Sequence, residues 1–466
     1  MVSTVFAPGV PEVEKEFNST SSAMSSLMVS IYVMGSAVGP LFLTPLTEVS
    51  GRLPMTHFAN ILFMIAAVVC AAAVNMPMLI IARLVMGVAS SVPVTVGGGY
   101  IADLMPMERR GTAMTIWTVG PLMVSSYSCC FEYLHAKLLT KDVYRDLYVA
   151  RYSEVILLRP LAGDGLCGLR RLSYVDDILT HFIIYISNMS QGAVVVIASL
   201  IFLRETYAPK ILERKALRLH KATGLLYRTK YEQDKSVGRL MWISVTRPIL
   251  FLCRSPSVLI VSLYSAVTYS YMYILFTTFT EVFETQYGFS PGQAGLGYLG
   301  LGLGFGVGQV TVGLFSDRHM KKQEAIYGKM KPEDRLPPLV LGCCLVPVGL
   351  FWYGWAAEYK LHWFVTIAGT FFVGLGIYYV HLVTQVYLVD AYTLYAASAV
   401  SAELCIRCVF GAVVPLAGPD LYANIGLGWG NSILGFIAVA FAPTSFFLLK
   451  YGERIRTNPK FQPKLT

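Results

Sequence analysis

Eleven apolar stretches, each about as long as a membrane-crossing helix, alternate with short polar segments along this chain. They fall at about 27–46, 57–74, 78–101, 112–133, 180–203, 257–278, 294–315, 336–357, 363–389, 396–417 and 428–449. A helix of about 20 residues crosses roughly 30 Å of hydrocarbon. In lipid the backbone must satisfy its own hydrogen bonds, which a helix does and an open strand does not. The pattern predicts an all-α integral membrane protein, with a stub at 1–10 as the end of a further span. The spans group into bundles at 1–203 and 255–449, joined by a polar connector at 204–254 and followed by a tail at 450–466.

Composition agrees with lipid as the solvent: 55% of the 466 residues are hydrophobic and 14% are charged, where a soluble chain carries about a quarter charged. The net charge of +9 is a matter of topology, which removes nucleic acid as a partner. The connector holds twelve Lys/Arg against four Asp/Glu, segment 316–335 has six Lys/Arg, and the tail has five. Segments 279–293 and 418–427 have none. That alternation places the connector and the C-terminus in the cytoplasm. Within the connector, Ile211, Leu212, Leu217 and Leu219 set among basic residues fit either an amphipathic helix on the inner leaflet or a solvated linker. The nine cysteines lie mostly in spans. Cys405 and Cys408 have metal-ligand spacing but no second ligand pair, so neither a metal nor another cofactor is expected. The chain also lacks a phosphate-binding loop.

Between the first two long spans runs GPLFLTPLTEVSGR, Gly39 to Arg52, and a weaker copy, GQVTVGLFSDR, runs from Gly308 to Arg318. In both, a Gly precedes an acid by nine positions, Gly39 to Glu48 and Gly308 to Asp317, and an Arg follows. A charged turn repeated in two halves is what duplicated transporter bundles carry.

With ARLVMGVASSVPVTVGGGYIADLMPMERRGTAM (Ala82 to Met114), IFLRETYAP (Ile201 to Pro209), YLVDAYTLYAASA, VFGAVVPLAGPDLY and GLGWGNSILGF, these strings resemble the major facilitator superfamily. Within it they are similar to the fungal twelve-span drug:proton antiporters, over about 1–123 and 182–457. The resemblance implies the major facilitator fold: two pseudo-symmetric six-helix bundles, here about eleven full spans plus a stub of span one. It further implies a monomer that takes small-molecule substrates and protons as partners. Such a carrier exports drugs, toxins or secondary metabolites across the plasma membrane, or the vacuolar membrane, in exchange for protons. Two departures stand against the pattern. The family's VFAPGVPEV string begins here at Val5, and residues 124–180 replace a Gly/Pro-rich fifth span with charged text. An inert membrane product of a misassembled reading frame, or an uptake carrier of the same fold, are the alternatives.

Candidate residues follow. Gly39, Pro40 and Gly51 shape the turn that holds Glu48 and Arg52, and a carboxylate there can face a helix N-terminus of the opposite half. The resemblance pairs Arg52 with Asp103, and gives Asp317 and Arg318 the counterpart role, together forming a gate. Arg83 either reaches the interface from its span or, as the resemblance implies, serves proton coupling. Glu403 and Arg407, one helical turn apart, form a self-paired couple or a protonatable site on the transport path. Asp390 closes its span at the inner interface. Tyr269 and Phe276 are candidates for lining a substrate cavity, where aromatic faces take amphipathic molecules, with Gln385 as a further polar candidate. His381 reads as a core histidine or a proton acceptor. Gly300, Gly304 and Gly308 repeat at four-residue spacing, which suits close helix packing in lipid. Asn18 opens an Asn-Ser-Thr glycosylation sequon.

Overall fold

The computed structural model describes residues 22–73, 75–118, 196–197, 199–201, 203–225, 227, 237–289, 295–328 and 330–458. The stub at 1–10, Asn18, and segment 124–180 with most of the two spans flanking it lie outside these residues. Among the described residues the chain is helical and without strands. In order come α1 (Ser22–Ser50), α2 (Arg52–Ala71), α3 (Met76–Leu104) and α4 (110–118). The connector holds α5 (Ala208–Thr223) and α6 (Val237–Arg254). Then follow α7 (Pro256–Tyr287), α8 (Gly297–Tyr327), α9 (Pro337–Glu358), α10 (Trp363–Ala391), α11 (Ala396–Val413), α12 (Gly418–Ile425) and α13 (Leu427–Thr457). Eight described helices are long and apolar enough to span a membrane.

Several helices outrun the apolar text that predicts them. α8 continues to Tyr327, through half of the segment read as a loop at 316–335. α1 runs unbroken to Ser50, so Gly39 and Pro40 lie inside a helix rather than in a turn. The turn itself is Gly51, whose φ of 99° lies where an L side chain is strained. Residues 237–254, read as part of a linker, form α6, which packs on α1 and α11. Phe251 is buried there, edge-on to Tyr392 with ring centroids 5.1 Å apart. On α5, by contrast, Ile211, Leu212, Leu217 and Leu219 are all exposed.

Apolar side chains on one side of most spans are exposed, among them Phe42, Phe58, Ile61, Ile65, Leu303 and Phe436, as expected where lipid is the partner. Between helices, glycines let backbones touch. A Cβ on Gly87 would lie 2.0 Å from the carbonyl oxygen of Tyr32, so α1 and α3 meet there, and Ser36 Oγ donates to the Gly87 carbonyl at 3.2 Å. In the other half a Cβ on Gly304 would lie 2.3 Å from the carbonyl oxygen of Phe371, and one on Gly374 would lie 2.4 Å from that of Leu301. The glycine spacing in α8 thus serves its contact with α10. α11 bridges the halves, packing on α7 in its own half and on α1 and α3 in the other.

Candidate functional site

Elements of both halves converge where α10 finishes, α8 passes and α4 begins. Arg335 lies there, 0% exposed, in a 3-10 turn (Pro332–Arg335) that follows α8. Its Nε donates to Asp390 Oδ2 at 2.7 Å and its Nη1 to Asp317 Oδ1 at 2.8 Å. Burying a guanidinium requires such pairing, because an uncompensated charge in the interior is very costly. The remaining oxygens of the two carboxylates reach across to the other half. Asp317 Oδ2 accepts from the Thr112 backbone amide at 2.8 Å and from the Thr112 hydroxyl. Asp390 Oδ1 accepts from Arg110 Nη1 at 2.9 Å. Thr112 stands in the first turn of α4, so the carboxylate faces free N–H groups and the positive end of the helix dipole. Gly111 makes the approach possible: a Cβ there would fall 2.5 Å from Asp317 Oδ1. Two further turns along α4 the contact continues, with Gln309 Nε2 donating to the Thr115 carbonyl and the Thr118 hydroxyl 2.7 Å from Tyr378 Oη.

Asp317 and Asp390 therefore share one cation. That cation is Arg335, not the adjacent Arg318, which is exposed. Arg335, Arg110, Thr112 and Gly111 were missing from the candidates drawn from the sequence. The string ERRG holds two of them, yet nothing in its spacing points to partners more than 200 residues away.

In the first repeat, Gly51 separates α1 from α2, and Glu205 caps the start of α2. Its carboxylate accepts from the amides of Arg52 at 3.2 Å and Leu53 at 3.1 Å. The Arg52 guanidinium lies over the rings of Tyr100 and Tyr207, 5.8 and 5.3 Å from their centroids. Glu48 and Asp103 sit on α1 and α3, and their side chains are outside the described residues. A similar device appears at the far end of the bundle. Glu358 accepts from the amides of Leu427 at 2.8 Å and Gly428 at 3.1 Å, beside Gly426 at φ 84°. Outside the spans, the Glu453 carboxylate accepts from Lys331 Nζ at 2.8 Å and holds that ammonium above the ordinary lysine range.

Midway along the bundle, a second polar cluster joins α7, α10 and α11. Glu403 is 0% exposed and takes a hydrogen bond from Ser265 Oγ at 2.5 Å, with Arg407 Nε 3.4 Å from the same oxygen. The Arg407 guanidinium lies 4.8 Å above the Tyr269 ring centroid and against the ring of His381, with Nη1 2.9 Å from Nε2. Arg83 is buried on α3 in the other half. Phe276 is buried between Tyr298, stacked at 5.8 Å, and Tyr273, edge-on at 5.9 Å. Gln385 is buried on α10.

The sequence matches the model of the Major Facilitator Superfamily over residues 1–123 and 184–415. MFS-type transporter penM of Penicillium rubens is 42% identical over 461 residues, which cover 99% of this chain and 83% of that protein. Efflux pump radE of Floropilus chiversii is 40% identical over 468 residues, covering 100% of this chain and 80% of its own. Among solved structures, a partially occluded inward-open form of the xylose transporter XylE from E. coli superposes with a TM-score of 0.65. At 15% identity, covering 97% of this chain and 93% of that one, it shares the fold alone.

Proposed function

The chain belongs to the major facilitator superfamily and is a multi-pass membrane transport protein, and from this we propose that it exports amphipathic small molecules in exchange for protons. The observation that carries the reading is the Asp317–Thr112 contact, backed by Arg110–Asp390. These bonds cross from one half to the other at a single end of the bundle, where they hold it shut. They are bonds that a rocking motion breaks as a set, which is how alternating access operates in duplicated bundles. In this reading the gate consists of Asp317, Asp390, Arg335, Arg110 and the Gly51 turn with Glu48 and Arg52, and that end faces the cytoplasm. The direction rests on the efflux-pump relative at 40% identity.

Proton coupling falls to the buried charges, Arg83 on one side and Glu403 with Arg407 on the other. Tyr269, Phe276 and Gln385 face substrate when the bundle opens. The protein acts as a monomer in the plasma membrane, with the connector and C-terminus cytoplasmic. Accumulation of rhodamine 6G in a pump-deficient host tests the reading. The chain lowers accumulation, and Glu48→Ala and Arg83→Ala each restore it. Equal accumulation with the chain, both variants and the empty host removes the export reading. Accumulation raised above the empty host favours uptake instead.

A further inference from the structure

One guanidinium touches two titratable side chains in the mid-bundle cluster, with different nitrogens and at unequal distances. Arg407 projects from α11 toward His381 of α10 and toward Glu403, one turn back on its own helix. The contact with the imidazole is the closer of the two: Nη1 lies against both ring nitrogens of His381, 2.9 Å from Nε2 and nearer to Nδ1. The approach to Glu403 is looser, at 3.4 Å, beyond a good charge-assisted bond. Glu403 instead holds its short bond from Ser265, and its second oxygen, buried, has no protein donor among the described residues. The ion couple is thus half made, and the cation leans on an imidazole.

A ring nitrogen that accepts from a guanidinium spends its lone pair on that bond, so the imidazole there is neutral. Protonating it would place two cations in contact inside a low-dielectric interior, a repulsive arrangement. Relief is one short movement away. If Arg407 swings toward Glu403 it completes the ion pair, keeps its face on Tyr269, and frees the His381 ring to take a proton. Groups facing the cluster are Cys405 and Cys408 on α11, Tyr269, Tyr273 and Ser265 on α7, and Tyr378 on α10. From the other half come Tyr32 on α1 and, through it, Arg83 on α3. None of these carries a carboxyl group, so Glu403 is the one carboxylate facing the cluster among the described residues to receive the cation.

We propose that His381 is a proton-binding site of the transport cycle, loaded when Arg407 moves from its ring to Glu403 and emptied when Arg407 returns. The step balances simply. A hydronium ion gives its proton to a ring nitrogen and leaves as water, the imidazole becomes imidazolium, and Arg407 passes from the imidazole to the carboxylate. α11 also packs on α1 and α3 of the opposite half. A rocking motion that shifts α11 against α10 therefore alters the distance between Arg407 and His381, which ties the proton to the conformational cycle. The inference rests on the export reading only for what the proton drives, and its first test is independent of transport.

That test is infrared difference titration of the purified chain in lipid vesicles, following imidazole ring bands between about pH 5 and 8. Subtracting His381→Gln, which still accepts from Arg407 but cannot titrate, isolates His381 from the other six of the seven histidines. The wild-type chain shows one band lost in the variant. Glu403→Gln, which removes the alternative anchor, moves that band's midpoint to lower pH by about one unit or more, a tenfold change in proton affinity. Arg407→Gln moves it the other way. A His381 band that does not titrate in this range, or a midpoint indifferent to Glu403→Gln, overturns the proposal. Rhodamine 6G export keeps the two claims apart. Export by the wild-type chain whose pH profile is unchanged in His381→Gln removes His381 alone, while no export by the wild-type chain removes the export reading whatever the bands show.

Discussion

Replacing Asp317 with Asn keeps the side chain's shape and removes its charge. With the bundle closed, Oδ2 of this residue takes two hydrogen bonds from Thr112 across the halves, while Oδ1 stays with Arg335 in its own half. Only the cross-half bonds differ between closed and open, so only they bias the equilibrium. A hydrogen bond to a charged group nets about 1.5–3 kcal/mol, and a partly buried charge at a helix N-terminus can add up to ~2 kcal/mol. An Asn oxygen still accepts weakly from the amide, which leaves a loss of about 2–3 kcal/mol. That is a shift of roughly 30- to 150-fold toward the open form, since 1.4 kcal/mol is tenfold. Electron–electron resonance between spin labels at Arg109 and Tyr327 reads it, both positions being exposed and on opposite halves at this end. The nine native cysteines are first replaced. Asp317→Asn adds a longer distance to the distribution, whereas Arg318→Gln does not, because Arg318 is exposed. An unchanged distribution for Asp317→Asn, or the same change from both variants, refutes the reasoning.

Gly111→Ala should act like a weaker Asp317→Asn, since its methyl would meet Asp317 Oδ1 at 2.5 Å; the same label pair measures it, and a distribution identical to wild type contradicts the approach described. Glu205→Ala strips the cap from α2 and should cost about 1–2 kcal/mol, read as a lower thermal midpoint in detergent, with Glu205→Gln retaining part of it. Gly304→Ala forces α8 and α10 apart, because its methyl meets a backbone carbonyl at 2.3 Å. A loss of about 1–3 kcal/mol is expected there, whereas Gly306→Ala, with open space around it, should not lower the same melt.

Eight of the eleven spans were legible because lipid demands a continuous apolar run. Their ends were not, since a helix that has left the hydrocarbon can carry Asp317, Arg318 or Lys321 on further turns without interruption. The glycine spacing of α8 was legible for a local reason: residues four apart share one face of a helix. Pairings over long separations left no local trace. Asp317 and Asp390 stood out as acids at span ends, but their common cation looked like one more loop charge in PEDR. α6 was hidden by Arg239, Arg247 and Pro248, which break its apolar text. Glu403 and Arg407 were visible as a helical pair, while the third member, His381, needed the packing of α10 on α11 to bring it alongside.

The most direct test of proton-coupled transport uses the purified chain in lipid vesicles with an imposed pH difference. Rhodamine 6G should move into protein-containing vesicles that are acid inside, raising luminal pH as protons leave, and collapsing the gradient beforehand with a protonophore should stop the dye entry. Dye entry equal to that of protein-free vesicles, or entry indifferent to the protonophore, contradicts the account.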